Sequence, residues 1–229
     1  MKKSILLLMA TLISAPSFAN EINQKSSLEQ QVGYSLGYNM ASNNSDVFKD
    51  LDIDAFLQGF KAAIAGKNPS LSTAEMGTAL SQYRQQTESR ALVEFQQQAA
   101  ANLQAGQKFL AQNAKAANVK VTKSGLQYQV LKNAKGKQPK ASSTVRVHYE
   151  GRLLDNTVFD SSIARQQPAE FKLSQVIAGW TEGVQLMPVG SKYRFFIPAK
   201  LAYDDIGSGD AIAPNSTLIF DIELLEILD

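Results

Sequence analysis

His148 is the single imidazole of this 229-residue chain, and there is no cysteine. Those two facts remove cysteine nucleophiles, disulfides, cysteine-held zinc, iron–sulfur clusters and any metal site built on two histidines. A serine triad would have to use His148 itself. That residue stands in a strand-like run, Val145-Arg146-Val147-His148-Tyr149, where a hydrogen-bonded strand residue is the simpler reading. The distinctive stretches of the chain are three: VRVHYEGRLLDNTVFDSS from Val145 to Ser162, SQVIAGWTEGVQLMPVGSKYRFFIP from Ser174 to Pro198, and LAYDDIGSGDAIAPNSTLIFDIELLEI from Leu201 to Ile227. Read singly, Phe159, Val176 and Phe220 are core residues, Trp180 is a buried aromatic, and Asp160 caps a turn with Ser161 and Ser162. No phosphate-cradling glycine motif is present, and neither a metal nor a cofactor is expected.

The elements that must position these residues are strands. After Val119 the hydrophobic period is 2: Leu126, Tyr128 and Val130 alternate with polar residues, as do Val145, Val147 and Tyr149. Tyr193 to Ile197 and Thr217 to Leu225 are further runs of this kind, punctuated by Gly136, Pro139, Asn156, Gly190 and Gly207-Ser208-Gly209. Val184 and Met187 mark one short helix between Ser174 and Met187. A strand-rich domain with a single helix is expected.

Before Val119 the period is helical. Leu28, Val32, Leu36 and Met40 recur every fourth residue, and Ile53, Phe56, Phe60 and Ile64 share a second face. Gly66-Lys67-Asn68-Pro69 stops that segment, and Ser72 with Glu75 makes a capping box for the next. Thr73 to Ala117 then has no proline and is rich in good helix formers, enough for a helix of about 68 Å. Its apolar residues are densest at the start, so the first part is expected to pack and the second to run as a largely exposed rod. Gly33 and Gly37 lie one turn apart and permit close helix approach. These short amphipathic faces require a partner, for which a second copy of the chain is the simplest.

Lys2 and Lys3 precede an apolar run from Ile5 to Ile13, and Pro16-Ser17-Phe18-Ala19 supplies small residues before a cut after Ala19. The run is too short to span a bilayer. A signal peptide is expected, leaving basic and acidic groups in balance, with no integral membrane segment after cleavage. That balance argues against nucleic acid and anionic membrane as partners. Export without cysteine fits the periplasm and leaves open outer-membrane or surface association.

The three aromatic stretches resemble the signature blocks of FKBP-type peptidyl-prolyl cis-trans isomerases. The resemblance rests on V-x-V-H-Y-x-G, F-D-S-S, V-I-x-G-W, the A-Y of the long loop, and P-x-x-T-L-I-F-D-I-E-L-L, in order through Gly125 to Ile227. The helical front half is similar to the macrophage infectivity potentiator class of that family. The resemblance implies an α+β architecture: an N-terminal all-helical dimerisation domain and long connecting helix, then an antiparallel sheet wrapped around one short helix. The implied divisions are a signal peptide over 1–19, a helical dimerisation domain over 20–72, a connecting helix over 73–118 and an isomerase domain over 119–229.

It further implies catalytic roles for Asp160, Tyr203, Phe220, Trp180 and Tyr149, and a substrate-binding wall of Phe159, Phe171, Val176, Ile177 and Ile212. Trp180 would floor the proline ring, Asp160 would be a buried carboxylate beside it, and the Ile177 N–H and Tyr203 hydroxyl would donate to the substrate chain. Expected partners are proline-containing proteins that are unfolded or partly folded, a second copy of the chain, and macrolide inhibitors such as rapamycin. Three departures stand out: Asp155-Asn156 replaces an Asp-Gly turn, Asp204-Asp205 follows Tyr203 where glycine is common, and Ala211 stands where a bulkier aliphatic often sits. The competing function is a non-catalytic holdase that clamps non-native chains between two arms.

Overall fold

The computed structural model describes residues 21–228; the expected signal peptide lies outside them. The chain forms two units that divide between Gly77 and Thr78, inside the long helix. The first contains α1 (Leu28–Asn43), α2 (Ser45–Phe48), α3 (Ile53–Ile64) and the first turn of α4 (Thr73–Asn113). The helix starts are capped by side chains. Ser27 and Gln30 exchange hydrogen bonds with each other's backbone N–H, Asp52 accepts from the Ala55 N–H, and Ser72 and Glu75 form the expected box. Packing within this unit is thin. Phe48, Phe56 and Phe60 form a small ring cluster with centroids 5.2 and 6.2 Å apart, yet no residue of α1, α2 or α3 is fully buried. Leu28, Leu36, Phe60 and Ile64 are exposed. Helices this short are marginal in water without a covered apolar face.

The second unit holds the rest of α4 and seven strands: β1 (Val119–Val121), β2 (Gln127–Lys132), β3 (Thr144–Arg152), β4 (Val158–Ser161), β5 (Ala169–Lys172), β6 (Lys192–Ile197) and β7 (Leu218–Ile227). One further helix, α5 (Ala178–Val184), lies between β5 and β6. All pairings are antiparallel in the order β1-β2-β6-β7-β3-β4, with β5 also on β3. Alternation along β3 sends Val145, Val147 and Tyr149 inward and Arg146, His148 and Glu150 to the outer face. Val184 and Met187 meet Leu218, Ile222 and Leu224 in the core. Close contact of α5 with the sheet depends on Gly179 and Gly183. A Cβ at the first would lie 2.5 Å from Ile197 Cγ2, and at the second 2.6 Å from Phe195 Cε1. The architecture is therefore α+β: helices first, then an antiparallel sheet around one short helix.

The long helix departs from its expected packing. Its early turns, through Gln98, are almost wholly exposed, whereas the turns from Ala99 to Asn113 dock on the strand domain rather than run free as a rod. Phe109 packs on Phe196 with ring centroids 5.7 Å apart. Asn113 Nδ2 donates to Gln127 Oε1 at 2.9 Å, and Gln127 Nε2 donates to the Leu110 carbonyl at 2.9 Å. Gly106 is the one fully buried residue of α4. A count of apolar residues misses this interface because a glycine and side-chain amides make much of it.

Candidate active site

A cavity of about 520 Å³ opens where the sheet, α5 and the loop between β6 and β7 meet. Strand β3 supplies Tyr149, β4 Phe159 and Asp160, β5 Phe171 and β7 Phe220. The turn into α5 supplies Val176 and Ile177, α5 itself Trp180, and the loop Tyr203 and Ile212. All ten residues singled out from the sequence thus line one cavity. Cross-strand pairing seats Phe171 opposite Val145 across β3 and β5, and Phe220 opposite Gly151 across β3 and β7.

Trp180 is 5% exposed and forms the floor. Tyr149, Phe171 and Phe220 meet its indole edge to face, with centroids 5.3, 5.3 and 5.2 Å away. Phe159 extends the wall from Phe220 at 5.5 Å. Each such edge-to-face pair is worth about 0.5–1.5 kcal/mol beyond its buried area, which favours this arrangement of the rings. The Trp180 Nε1–H is buried without a protein acceptor. No backbone acceptor among the described residues takes the Ile177 N–H, at the N-cap of α5.

One edge of the cavity is polar. The Tyr149 hydroxyl donates to Asp160 Oδ2 at 2.5 Å, Arg165 Nη1 donates to Asp160 Oδ1 at 2.5 Å, and Arg165 Nη2 donates to the Tyr149 oxygen at 2.9 Å. The Arg165 guanidinium also lies over the Tyr149 ring, 5.7 Å from its centroid. Asp160 is not the buried carboxylate that the resemblance implied. Its side chain is 41% exposed, because the wall beside it is the solvent-facing guanidinium of Arg165 rather than apolar core. Partial burial pushes the Asp160 carboxyl up, but the Tyr149 hydroxyl and the Arg165 guanidinium outweigh it and hold the group below the usual carboxylate range. Burial, then the hydrogen bond to Asp160, raises the Tyr149 phenol above its ordinary value.

Arg165 escaped the sequence reading. It lies five residues beyond Asp160 in a turn, where spacing carries no facial information, and it is brought back by Arg165 N–H to Ser161 and Gln167 N–H to Ser162 backbone bonds. Gln175, Ser208 and Ala211 line the cavity as well. The turn residues that depart from glycine adopt glycine-like backbone: Asn156 has φ +70° and Asp204 φ +48°. His148 lies off the cavity, its Nδ1 3.1 Å from Ser162 Oγ.

The cavity holds one hydroxyl–carboxylate pair, Tyr149 with Asp160, and Arg165 donates to both partners, so it presents no free nucleophile beside a free base. It is suited instead to receive a compact apolar ring on an indole floor and to hold the adjoining chain at a hydrogen-bonding rim, which is the arrangement of an FKBP-type domain. The chain belongs to the FKBP-type peptidyl-prolyl cis-trans isomerase family, whose model matches residues 135–225. A second family model, described as the domain amino terminal to FKBP-type peptidyl-prolyl isomerase, matches residues 29–130. The chain is 43% identical to the FKBP-type peptidyl-prolyl cis-trans isomerase FkpA of Aeromonas hydrophila, over 93% of this chain and 81% of that protein. It is 35% identical to the outer membrane protein MIP of Legionella longbeachae, over 99% and 97% of the two chains. The crystal structure of FkpA from Escherichia coli superposes with a TM-score of 0.72 at 36% identity, covering 88% of this chain and 97% of that one. The chain is a peptidyl-prolyl isomerase.

Proposed function

We propose that this isomerase is exported to the periplasm and accelerates X-Pro isomerisation in unfolded or partly folded envelope proteins, with chaperone activity of its own. The observation that carries the catalytic part is the aromatic cavity, floored by Trp180, with a hydrogen-bonding rim at one edge. Rotation about an X-Pro amide faces a barrier of about 18–20 kcal/mol although the two isomers differ by only about 0.5–1 kcal/mol. The planar amide is held by donation of the nitrogen lone pair into the carbonyl, which separates charge. The twisted amide gives up that donation and is less polar, so an apolar enclosure favours it over the planar state.

In this reading the proline ring sits on Trp180 between Phe220 and Tyr149, with Phe159, Phe171, Val176 and Ile212 enclosing it. The Ile177 N–H and the Tyr203 hydroxyl hold the chain on either side while the bond between them turns. Asp160 faces the substrate carbonyl, and Arg165 fixes the Asp160–Tyr149 pair. Macrolides such as rapamycin would occupy the same floor, with Ala211 and the Asp204-Asp205 turn limiting contact at the mouth.

The exposed apolar side chains of α1 and α3 support a homodimer formed through the first unit. The same side chains suit a holdase, and that second reading separates from the first by assay. Native protein from the envelope fraction should begin at Asn20 and scatter light as two chains. It should accelerate isomerisation of a Leu-Pro tetrapeptide whether or not it suppresses aggregation of a proline-free client. Suppression without isomerisation would leave only the holdase, and a full-length cytoplasmic chain would overturn export.

A further inference from the structure

The cavity's outer wall is a loop, residues 202–217, that carries Tyr203 and Ile212 but belongs to no strand for most of its length. Its own hydrogen bonds are few: Ser208 and Ile212 form one isolated bridge, the Gly207 N–H bonds to the Tyr203 carbonyl, the Asn215 N–H to the Asp204 carbonyl, and the Ser216 hydroxyl to the Ala213 carbonyl. What holds its far side is the docked end of α4. Asn102 Nδ2 donates to the Pro214 carbonyl at 2.8 Å, and Asn215 Nδ2 donates back to the Ala99 carbonyl at 3.2 Å. Gln98 Nε2 donates to Asn102 Oδ1 at 3.0 Å, which turns the Asn102 amide so that its nitrogen faces Pro214.

The clamp leads directly to the cavity. Asn215 sits at φ +56° and its N–H donates to the Asp204 carbonyl at 2.7 Å; Asp204, itself at φ +48°, follows Tyr203. Pro214 is buried two residues after Ile212, which is also buried. Gly106 sets the depth of docking, because a Cβ there would lie 2.3 Å from Thr217 Oγ1. Two left-handed, non-glycine residues are thus held by one hydrogen bond between them and one carboxamide pair to the helix. Such backbone persists where its surroundings over-determine it.

We propose that the last turns of α4 belong to the active-site architecture: Asn102 and Asn215 act as positioning residues that brace the pocket loop and so set where Tyr203 and Ile212 meet the substrate. The helix is then more than a connector, and changes at its docked end are felt as altered substrate binding. This rests on the cavity being the isomerase site.

The test uses the full chain with Asn102→Ala and, separately, Asn215→Gly, which removes the carboxamide while relieving the φ +56° backbone. Three readouts are taken. The first is hydrogen exchange of the Ile212 and Asn215 amides against amides of β3 and β7. The second is quenching of Trp180, the only tryptophan, by a Leu-Pro tetrapeptide, which gives its Kd. The third is kcat/KM on the same peptide. The expected result is faster exchange confined to the loop by about tenfold or more, with Kd raised and kcat/KM lowered by about three- to tenfold, and denaturation midpoints near wild type for Asn215→Gly. Unchanged loop exchange and Kd in both variants would overturn the proposal, as would exchange that rises equally across β3 and β7. Faster loop exchange in the variants, alongside a wild-type protein that fails to isomerise the peptide, would instead overturn the assignment of the cavity, since exchange does not depend on catalysis.

Discussion

Gly151 offers a clean perturbation of the cavity because the substitution adds one carbon and no backbone strain. A Cβ at this position would stand 2.6 Å from Phe159 Cζ, 2.7 Å from Phe159 Cε2 and 2.7 Å from Phe220 Cε1. Ordinary carbon–carbon contact is about 3.5 Å, so each ring must retreat by roughly 0.8 Å. Phe220 is 5% exposed and backed by Trp180 at 5.2 Å, which leaves it no room to retreat. Phe159 is only partly buried and is the ring that gives, swinging toward the space where a proline would sit. Overpacking of this kind costs about 1–3 kcal/mol. Gly151→Ala is therefore expected to lower urea-unfolding stability by that amount and kcat/KM on a tetrapeptide by about tenfold, equivalent to about 1.4 kcal/mol of transition-state binding. Gly77→Ala is the control: nothing lies within 4 Å of its added carbon, and an alanine inside a helix gains up to about 1 kcal/mol without touching activity. A folded Gly151→Ala protein with wild-type kcat/KM would show that the Phe159–Phe220 wall does not shape the transition state.

Asp160→Leu is expected to lower kcat/KM by about tenfold or more, since Tyr149 and Arg165 both lose their shared acceptor, whereas His148→Gln should change it little; peptide kinetics on both variants decide this. The pH profile of kcat/KM should be flat between about pH 5 and 9. Asp160 has a lowered folded pKa, so the stability it contributes is complete above its ordinary value and is lost as pH falls through the lower one. Tyr149 has a raised one, so its contribution is complete below the ordinary phenol value and is lost only as pH rises through the higher one; a fall near pH 7 would contradict both assignments. A tetrapeptide series should show faster turnover of Leu-Pro and Phe-Pro than of Glu-Pro, because the walls are aromatic and aliphatic, and the reverse order would refute that.

Much of the fold was legible because period-2 alternation is a local property. Val145, Val147 and Tyr149 announce which face of β3 is inward, and the same rule places Ile222 and Leu224 on β7. The cavity lining was legible by a different route, through ordered motif blocks, since alternation alone does not say which inward aromatic faces a cavity and which faces core. Tyr193 and Phe195 are as aromatic as Phe159 and Phe220, yet they pack away from the cavity with Tyr128. The features that escaped depend on chain reversal or on small residues. Arg165 reaches Asp160 only because the turn after β4 folds back, and the exposure of Asp160 follows from that partner. The docked end of α4 relies on Gly106, Asn102 and Asn113, none of which registers in an apolar count.

Catalysis at the aromatic cavity is tested most directly by exchange NMR between the cis and trans forms of a Leu-Pro tetrapeptide, with wild-type protein and with Phe220→Ala. The truncation opens the wall between Trp180 and Phe159 and is expected to cost about 3–5 kcal/mol of stability, so the variant is first shown to be folded by circular dichroism. Wild-type protein at catalytic concentration should bring the two forms into fast exchange, and an equal amount of folded Phe220→Ala should lower that rate by about tenfold or more. Equal exchange rates with both proteins would contradict the assignment of isomerisation to this cavity.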